Sequence, residues 1–242
     1  MTEHRARAFV LDRRPHREND LRVVLLTEHG ARVEAFALGA QRSRQRFVGG
    51  LSPLALYAVR YSTTARATRL DEAVVERVWP SISRGLRSQS SALAATGVAR
   101  ALAEPAPHDA ALFLLLGELY GIAAESDDAD LLGGRLARFT LEALAHSGHA
   151  LVFDRCVRCD APAPDTARVT VDPVAGGVVC RSCGGGPLTF TSAQRKTLRA
   201  VIAGDLDGAK GSLVRTVSRL VEGVSVDAAG TLAGVADLFD PR

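Results

Sequence analysis

Lysine is almost missing from this 242-residue chain: Lys196 and Lys210 stand alone against a combined Lys and Arg count of 30. Positive charge is therefore nearly all guanidinium, a planar group that grips phosphates through paired hydrogen bonds. A GC-rich genome would leave the same composition. Long apolar runs are also lacking. The longest, around residues 110–116, falls far short of the roughly 18 residues that a membrane span needs, so none is expected. The first residues, "MTEHRARAFVLDRR", are charged from the third position and hold no apolar stretch ahead of a small-residue cleavage site. No signal peptide is read there, and a cytoplasmic location is expected.

Catalytic signatures are missing too. There is no G-x-S-x-G elbow and no H-E-x-x-H pair. "GDLDGAKGS" has Ala209 where a phosphate-binding loop requires glycine before its lysine, and Gly211 where it requires Ser or Thr, so no nucleotide site is expected. "ESDDAD" lacks the glycine and closing glutamate of a calcium loop and reads as a helix-capping turn. The expectation is a protein that is not an enzyme, although scattered catalytic residues would leave no local trace.

Apolar residues make up 47% and charged residues 24%, as in ordinary globular proteins, and the length suits one to two domains. The net charge of +3 is unevenly spread: +5 over residues 1–79, −3 over 80–150, +3 over 151–200 and −2 over 201–242. An anionic partner such as nucleic acid would be drawn to the first and third stretches.

The first eighty residues read as five short strands, "RARAFVLD", "LRVVLLTE", "RVEAFALG", "LALYAVRY" and "LDEAVVERVW", alternating in polarity, with Gly30 in a tight hairpin. Five such strands suggest a small closed barrel of the OB type, and an SH3-like barrel would look similar. From Pro80 the period lengthens to that of three helices, separated by "EPAPHD" and "ESDDAD". The third carries Leu132, Leu136, Phe139 and Ala143 on one stripe, with Arg135, Arg138 and Glu142 along its rim. After "HSGHA" comes a hairpin with arms "VTVD" and "VVC", then two helices, one capped near Thr191 or Ser192 and one over about 209–222. The fold class is α+β and multidomain: an OB-type barrel over 1–79, a helical domain over 80–150, an inserted four-cysteine module over 151–188, and C-terminal helices over 189–242 packing on the helical domain.

All four cysteines fall in two pairs, Cys156 with Cys159 and Cys180 with Cys183. Two C-x-x-C turns at this separation match a structural zinc site, each turn giving two thiolates to a tetrahedron. Disulfides are disfavoured in the cytoplasm, and a thioredoxin-like site needs one C-x-x-C in a βαβ setting. Four thiolates leave Zn2+ no open position, so the metal is expected to hold structure and not to hydrolyse a substrate. His146 and His149 are near enough to suggest a mixed site, but the cysteines suffice. Arg155, Arg158 and Arg181 beside the pairs offset the thiolate charge or extend a DNA-contacting surface.

"RSRQRF" puts Arg42, Arg44 and Arg46 at alternate positions ahead of Phe47; if extended, the three guanidinium groups could follow a phosphate backbone while Phe47 stacks on a base. A solvated basic loop with Phe47 turned into the core is the other reading. Arg13, Arg14 and Arg17 form a second basic cluster near His16.

In this order, "LRVVLLTEHGARVEAFALGAQRSRQRFVGGL", "LFLLLGELYGI", "RFTLEALAHSGHALVFDRCVRC" and "CRSC" closely resemble the RecO family of bacterial recombination mediators, over about residues 5–200. Two departures stand out. "HREND" replaces the more usual Gly-Glu-Ala-Asp ahead of the second strand, and Asp160 stands where Gly is common. The resemblance implies an OB domain, a helical domain and a zinc knuckle, although some members lack the cysteines. It further implies a nucleoid-associated protein that binds single- and double-stranded DNA, anneals complementary strands without ATP, and works with RecR to load RecA on strands coated by single-stranded-DNA-binding protein (SSB). It also implies recognition of the acidic SSB tail through the helical domain, where Arg135 and Arg138 would flank a groove. The competing reading is a zinc-ribbon transcriptional regulator, which would need a basic, base-reading helix.

Overall fold

The computed structural model describes residues 1–43, 45–105 and 110–240, and the chain divides into two compact units, Met1–Asp127 and Asp128–Arg242. The division falls inside the stretch 80–150.

In the first unit, β1 (Thr2–His16), β2 (Asp20–Thr27), β3 (Arg32–Ala37), β4 (Ala55–Thr63) and β5 (Thr68–Val78) close into a barrel in the order β1-β2-β3-β5-β4. Every pairing is antiparallel except β3 with β5, which meet at Phe36 and Arg69. The alternation read from the sequence holds. Ala6, Ala8 and Val10 of β1, Leu21, Val23 and Leu25 of β2, and Ala35 and Ala37 of β3 all point inward. Gly30 takes φ 78° in the β2–β3 turn, as its place requires. β1 runs four residues past the reading from sequence because its register shifts between Val10 and Asp12, which breaks the two-residue period.

The outer face of β1 is sealed by helices of the same unit. After a 3-10 turn at Pro80–Arg84 come α1 (Leu86–Leu102) and α2 (Ala111–Glu125). Phe9 lies 4.8 Å from the ring of Phe113 and 5.3 Å from that of Tyr120, and Trp79 lies 5.4 Å from Tyr120. Gly117 leaves room for this cluster; a Cβ there would sit 3.4 Å from Phe9 Cζ. Asp127 reaches back to the start of α1, where its Oδ1 accepts the Ser88 N–H at 2.7 Å.

In the second unit, α3 (Ala129–His146) starts at Asp128, whose side chain accepts the Leu131 N–H at 2.8 Å. A three-stranded antiparallel sheet follows, β6 (Val169–Asp172) between β7 (Gly177–Val178) and β8 (Leu188–Phe190). Then come α4 (Ser192–Ile202), opened by a Thr191–Gln194 capping box, α5 (Leu213–Glu222), α6 (Val226–Ala233) and α7 (Ala236–Phe239). α3 packs against α4, α5 and α7. The approach to the loop before α5 is close enough that a Cβ on Gly133 would lie 2.6 Å from Gly211 Cα. Asp130 fastens that loop by accepting from Lys210 Nζ at 2.9 Å and from the Gly211 N–H at 2.8 Å. "GDLDGAKGS" is thus a docked loop with its lysine engaged. Among the described residues no helix is long and apolar enough to cross a membrane.

Candidate nucleic-acid interface and cysteine cluster

The four cysteines converge. The Sγ atoms of Cys156, Cys159, Cys180 and Cys183 all lie within 4.8 Å of one another, and none is in a disulfide. Cys159 and Cys180 are 3.7 Å apart at sulfur, close to the edge of about 3.8 Å that four Zn–S bonds of about 2.3 Å would set. Backbone geometry builds this convergence. Cys183 N–H donates to Cys180 O at 3.0 Å and Asp160 N–H donates to Cys156 O at 2.9 Å, closing one turn around each pair. Gly184 follows with φ 100°. Asp160, in the matching place, takes φ 60°, a left-handed conformation that aspartate tolerates better than most residues, and its carboxylate meets Arg155 Nε at 3.1 Å. The N–H of Cys180 donates to Cys156 Sγ at 3.3 Å. That bond and another from the Arg158 backbone hold the Cys156 thiol down at about 6. Cys183 is pushed up to about 12, chiefly by its hydrogen bonds with the sulfurs of Cys180 and Cys159. The cluster thus favours a first thiolate and resists a last one, the behaviour of four sulfurs crowded into the shell of one cation. His146 and His149 are not in the cluster.

The basic residues of the barrel form a second locus. The loop after β1 and the loop after β3 lie side by side: Gln41 N–H donates to Asn19 O at 3.0 Å, and Gly39 N–H to Asp20 Oδ1 at 2.8 Å. Arg17, Arg42 and Arg46 are exposed in these two loops, whereas Arg13 and Arg14 are exposed on β1 itself, paired with Val23 and Arg22 of β2, and as consecutive strand residues they leave opposite faces of the sheet, which corrects their reading as part of the first loop. Arg14 pairs with Asp12 at 2.9 Å and Arg42 with Glu18 at 3.4 Å, while Arg13 donates to Gly50 O and Arg46 to Leu38 O. Exposed pairs of this kind contribute about 0–1 kcal/mol and exchange easily for a phosphate. Arg44 lies outside the described residues.

Three further expectations are corrected. Residues 38–42 are turn, with Arg42 and Ser43 N–H both donating to Gly39 O, so the arginines do not alternate along an extended strand. Phe47 is 2% exposed and belongs to the barrel core, bridged to Ala73, so its ring has no free face for a base. The stripe of Leu132, Leu136, Phe139 and Ala143 on α3 is likewise buried, at 0–2% exposure, and offers no open groove; Arg135 and Arg138 are half-buried beside it.

Arg17 adds an observation that the sequence did not predict. It takes φ 57°, so both departures from the family pattern, Arg17 and Asp160, fall on left-handed backbone where glycine costs least. Beside Arg17, the His16 ring lies 4.8 Å from that of Phe36. Their pairing did not stand out in the sequence, because His16 ends β1 and Phe36 lies next to the end of β3, and they meet only when both strands pair with β2.

Two family models match the chain: "Recombination protein O N terminal" over residues 1–77 and "Recombination protein O C terminal" over residues 86–223. The chain belongs to the RecO family. It is 34% identical to the DNA repair protein RecO of Myxococcus xanthus over 181 residues, covering 73% of this chain and 71% of the relative. Similarity to the RecO of Frankia casuarinae is 30% over 217 residues, 86% of this chain and 85% of the relative. The RecO of Nocardioides sp. matches at 29% over 230 residues, 90% of this chain and 91% of the relative. Membership places the protein in DNA repair and recombination, and its four clustered cysteines are compatible with zinc binding.

Proposed function

We infer that the protein is a recombination mediator that binds single- and double-stranded DNA, anneals complementary strands without ATP, and with RecR helps load RecA on SSB-coated strands. The observation that carries this reading is the pair of joined basic loops that hold Arg17, Arg42 and Arg46, with Arg13 of β1 reaching the second of them at Gly50 O. Strand order and the position of these loops agree with an OB-type barrel, whose loops border a nucleic-acid face. Guanidinium groups there would neutralise phosphates of two approaching strands and lower their repulsion, leaving base pairing to select the partner. A role without nucleotide turnover is supported by Lys210, which is engaged by Asp130 and not presented to a phosphate.

Cys156, Cys159, Cys180 and Cys183 would hold Zn2+ with a filled coordination shell, which suits a structural metal. Binding of the SSB tail would rest on the half-buried side chains of Arg135 and Arg138 alone, since the apolar stripe of α3 is core.

The test is annealing of complementary oligonucleotides across a salt series, bare and SSB-coated, without nucleotide. Acceleration that persists on coated strands and declines with salt is expected. Duplex binding with no acceleration would overturn the mediator reading and favour a DNA-binding regulator.

A further inference from the structure

We propose that Cys159 and Cys180 form a reversible oxidation site for hydrogen peroxide and other hydroperoxides, at which a disulfide takes over the clasp that a bound metal otherwise provides. The proposal goes beyond the DNA-binding reading and rests on the four cysteines as a zinc site.

The cluster is uneven in its access to solvent. Cys156 is 1% exposed, Cys180 and Cys183 are half-buried, and Cys159 stands open on its turn between Arg158 and Asp160, which are exposed as well. An oxidant arriving from solvent therefore meets Cys159 first. The sulfur placed to answer belongs to the other pair. Cys180 Sγ lies 3.7 Å from Cys159 Sγ, so a disulfide of roughly 2.05 Å needs about 1.6 Å of approach, within the reach of two side-chain rotations. Ser182, itself exposed, keeps its Oγ 3.0 Å from Cys180 Sγ, so this second sulfur lies at the polar margin of the cluster while Cys156 lies beneath.

The chemistry balances. The Cys159 thiolate attacks one peroxide oxygen, breaking the O–O bond and leaving a sulfenic acid and a hydroxide. The Cys180 thiolate then attacks the oxidised sulfur, forming the S–S bond and expelling a second hydroxide. Two electrons pass from sulfur to peroxide, and two protons from solvent convert both hydroxides to water. Cys156 and Cys183 remain as two ligands where a tetrahedral site needs four, so the oxidised cluster no longer holds Zn2+.

What the exchange preserves is the clasp. Cys159 closes one turn and Cys180 opens the other, so a metal or this disulfide ties the same two turns together. The backbone behind them is already joined: Val171 pairs with Val178, whose N–H donates to Val152 O at 2.9 Å. A bond inside either C-x-x-C turn would leave the two turns untied. The bond from Cys159 to Cys180 instead closes a loop of 21 positions around β6 and β7, and a longer closed loop restricts the unfolded chain more. In a reducing setting thiol exchange reverses it, so the linked form is transient.

The experiment treats the full-length, zinc-loaded protein with hydrogen peroxide, follows zinc release with a chromogenic chelator, and maps the cysteines by alkylation and peptide mass spectrometry. Amide exchange in β6–β8 is compared with that of reduced protein stripped of zinc by a chelator. The expected result is loss of the bound zinc together with two hydrogens per chain, a Cys159–Cys180 link, and Cys156 and Cys183 open to alkylation. Exchange in β6–β8 should be slower than in the chelated protein by roughly tenfold or more, the least that closing a loop of this length implies. Dithiothreitol with Zn2+ should restore the starting protein. Links within the turns, sulfinic acid at Cys159 with no disulfide, four unreacted thiols, or exchange as fast as in the chelated protein would each overturn the proposal. Protein that carries no zinc before treatment would overturn the metal reading alone, because the disulfide map reads the sulfurs directly.

Discussion

Gln41 donates its backbone N–H to the carbonyl of Asn19 at 3.0 Å, joining the loop after β3 to the loop after β1. Arg17 of the first loop and Arg42 of the second, far apart in sequence, thereby lie on joined loops. Neutralising both should change the salt dependence of DNA binding more than stability. Arg17→Ala with Arg42→Ala is expected to make the slope of log affinity against log salt shallower by roughly 0.7–0.9 for each phosphate that is no longer neutralised. Titrations between 50 and 200 mM salt would measure it (about the range over which such slopes are resolved); an unchanged slope would remove these two side chains from the interface.

Phe47 serves the barrel. Phe47→Ala should destabilise the first unit by about 3–5 kcal/mol through the cavity it leaves, read by denaturant unfolding. Phe47→Leu, which keeps most of the apolar volume, should retain wild-type DNA affinity. A stable Phe47→Leu protein with much weaker single-strand binding would restore the stacking role that the buried ring excludes.

Asp127 makes the start of α1 sensitive to acid. The Ser88 backbone N–H holds its carboxyl below the usual carboxylate range. A depressed folded-state pKa gives stability that is present above the ordinary carboxylate value of about 4 and lost as pH falls through the lower folded value. Asp127→Ala should cost about 1 kcal/mol at pH 7, as loss of a helix cap does. That deficit should shrink as the pH falls below about 4 in melting curves; a deficit independent of pH would show that the carboxylate charge does not contribute.

Metal removal should act on the second unit. A chelator, or Cys180→Ser, is expected to loosen the β6–β8 sheet around the cysteine turns, lowering its amide-exchange protection, while exchange in β1–β5 stays unchanged. Elemental analysis of the purified protein should find one zinc per chain, and Co2+ replacement should give the visible spectrum of a tetrahedral thiolate site. Protein without bound metal but equally protected would refute the structural role.

Asp160 and Arg17 share a backbone constraint. Asp160→Val should cost about 1–2 kcal/mol, because a β-branched residue resists φ near 60°, whereas Asp160→Gly should change stability little. Thermal unfolding of the metal-loaded protein separates the two. Equal effects would mean that the Arg155 pair, and not the backbone, sets the preference.

Much of this molecule was legible in the sequence because its signals were local. Strict alternation in β2 gave Leu21, Val23 and Leu25 their inward face, and the cysteine spacing anticipated a cluster that the fold closes. What was not legible depended on distance or brevity. Phe47 enters the core from a turn with no period, and β8 is three residues between a Gly-Pro break and a helix cap. α6 spans eight residues with Gly230 inside it, too short and too weak in propensity to stand out from its own pattern. The His16–Phe36 ring contact required β1 and β3 to line up on either side of β2.

The barrel wall carries a further consequence. Ala6, Ala8, Ala35, Ala37, Ala55 and Ala73 line an interior whose bulk comes from leucines and valines together with Phe47 and Tyr57. At these alanine positions only a methyl group is left to trim. Enlargement is the greater hazard: one added branch at any of these alanines must force strands apart in a ring that has no free edge along which to relax. Drift in this part of the chain should therefore be tolerated toward glycine or serine more readily than toward valine, so the tightness of the ring limits which substitutions the lineage can accept.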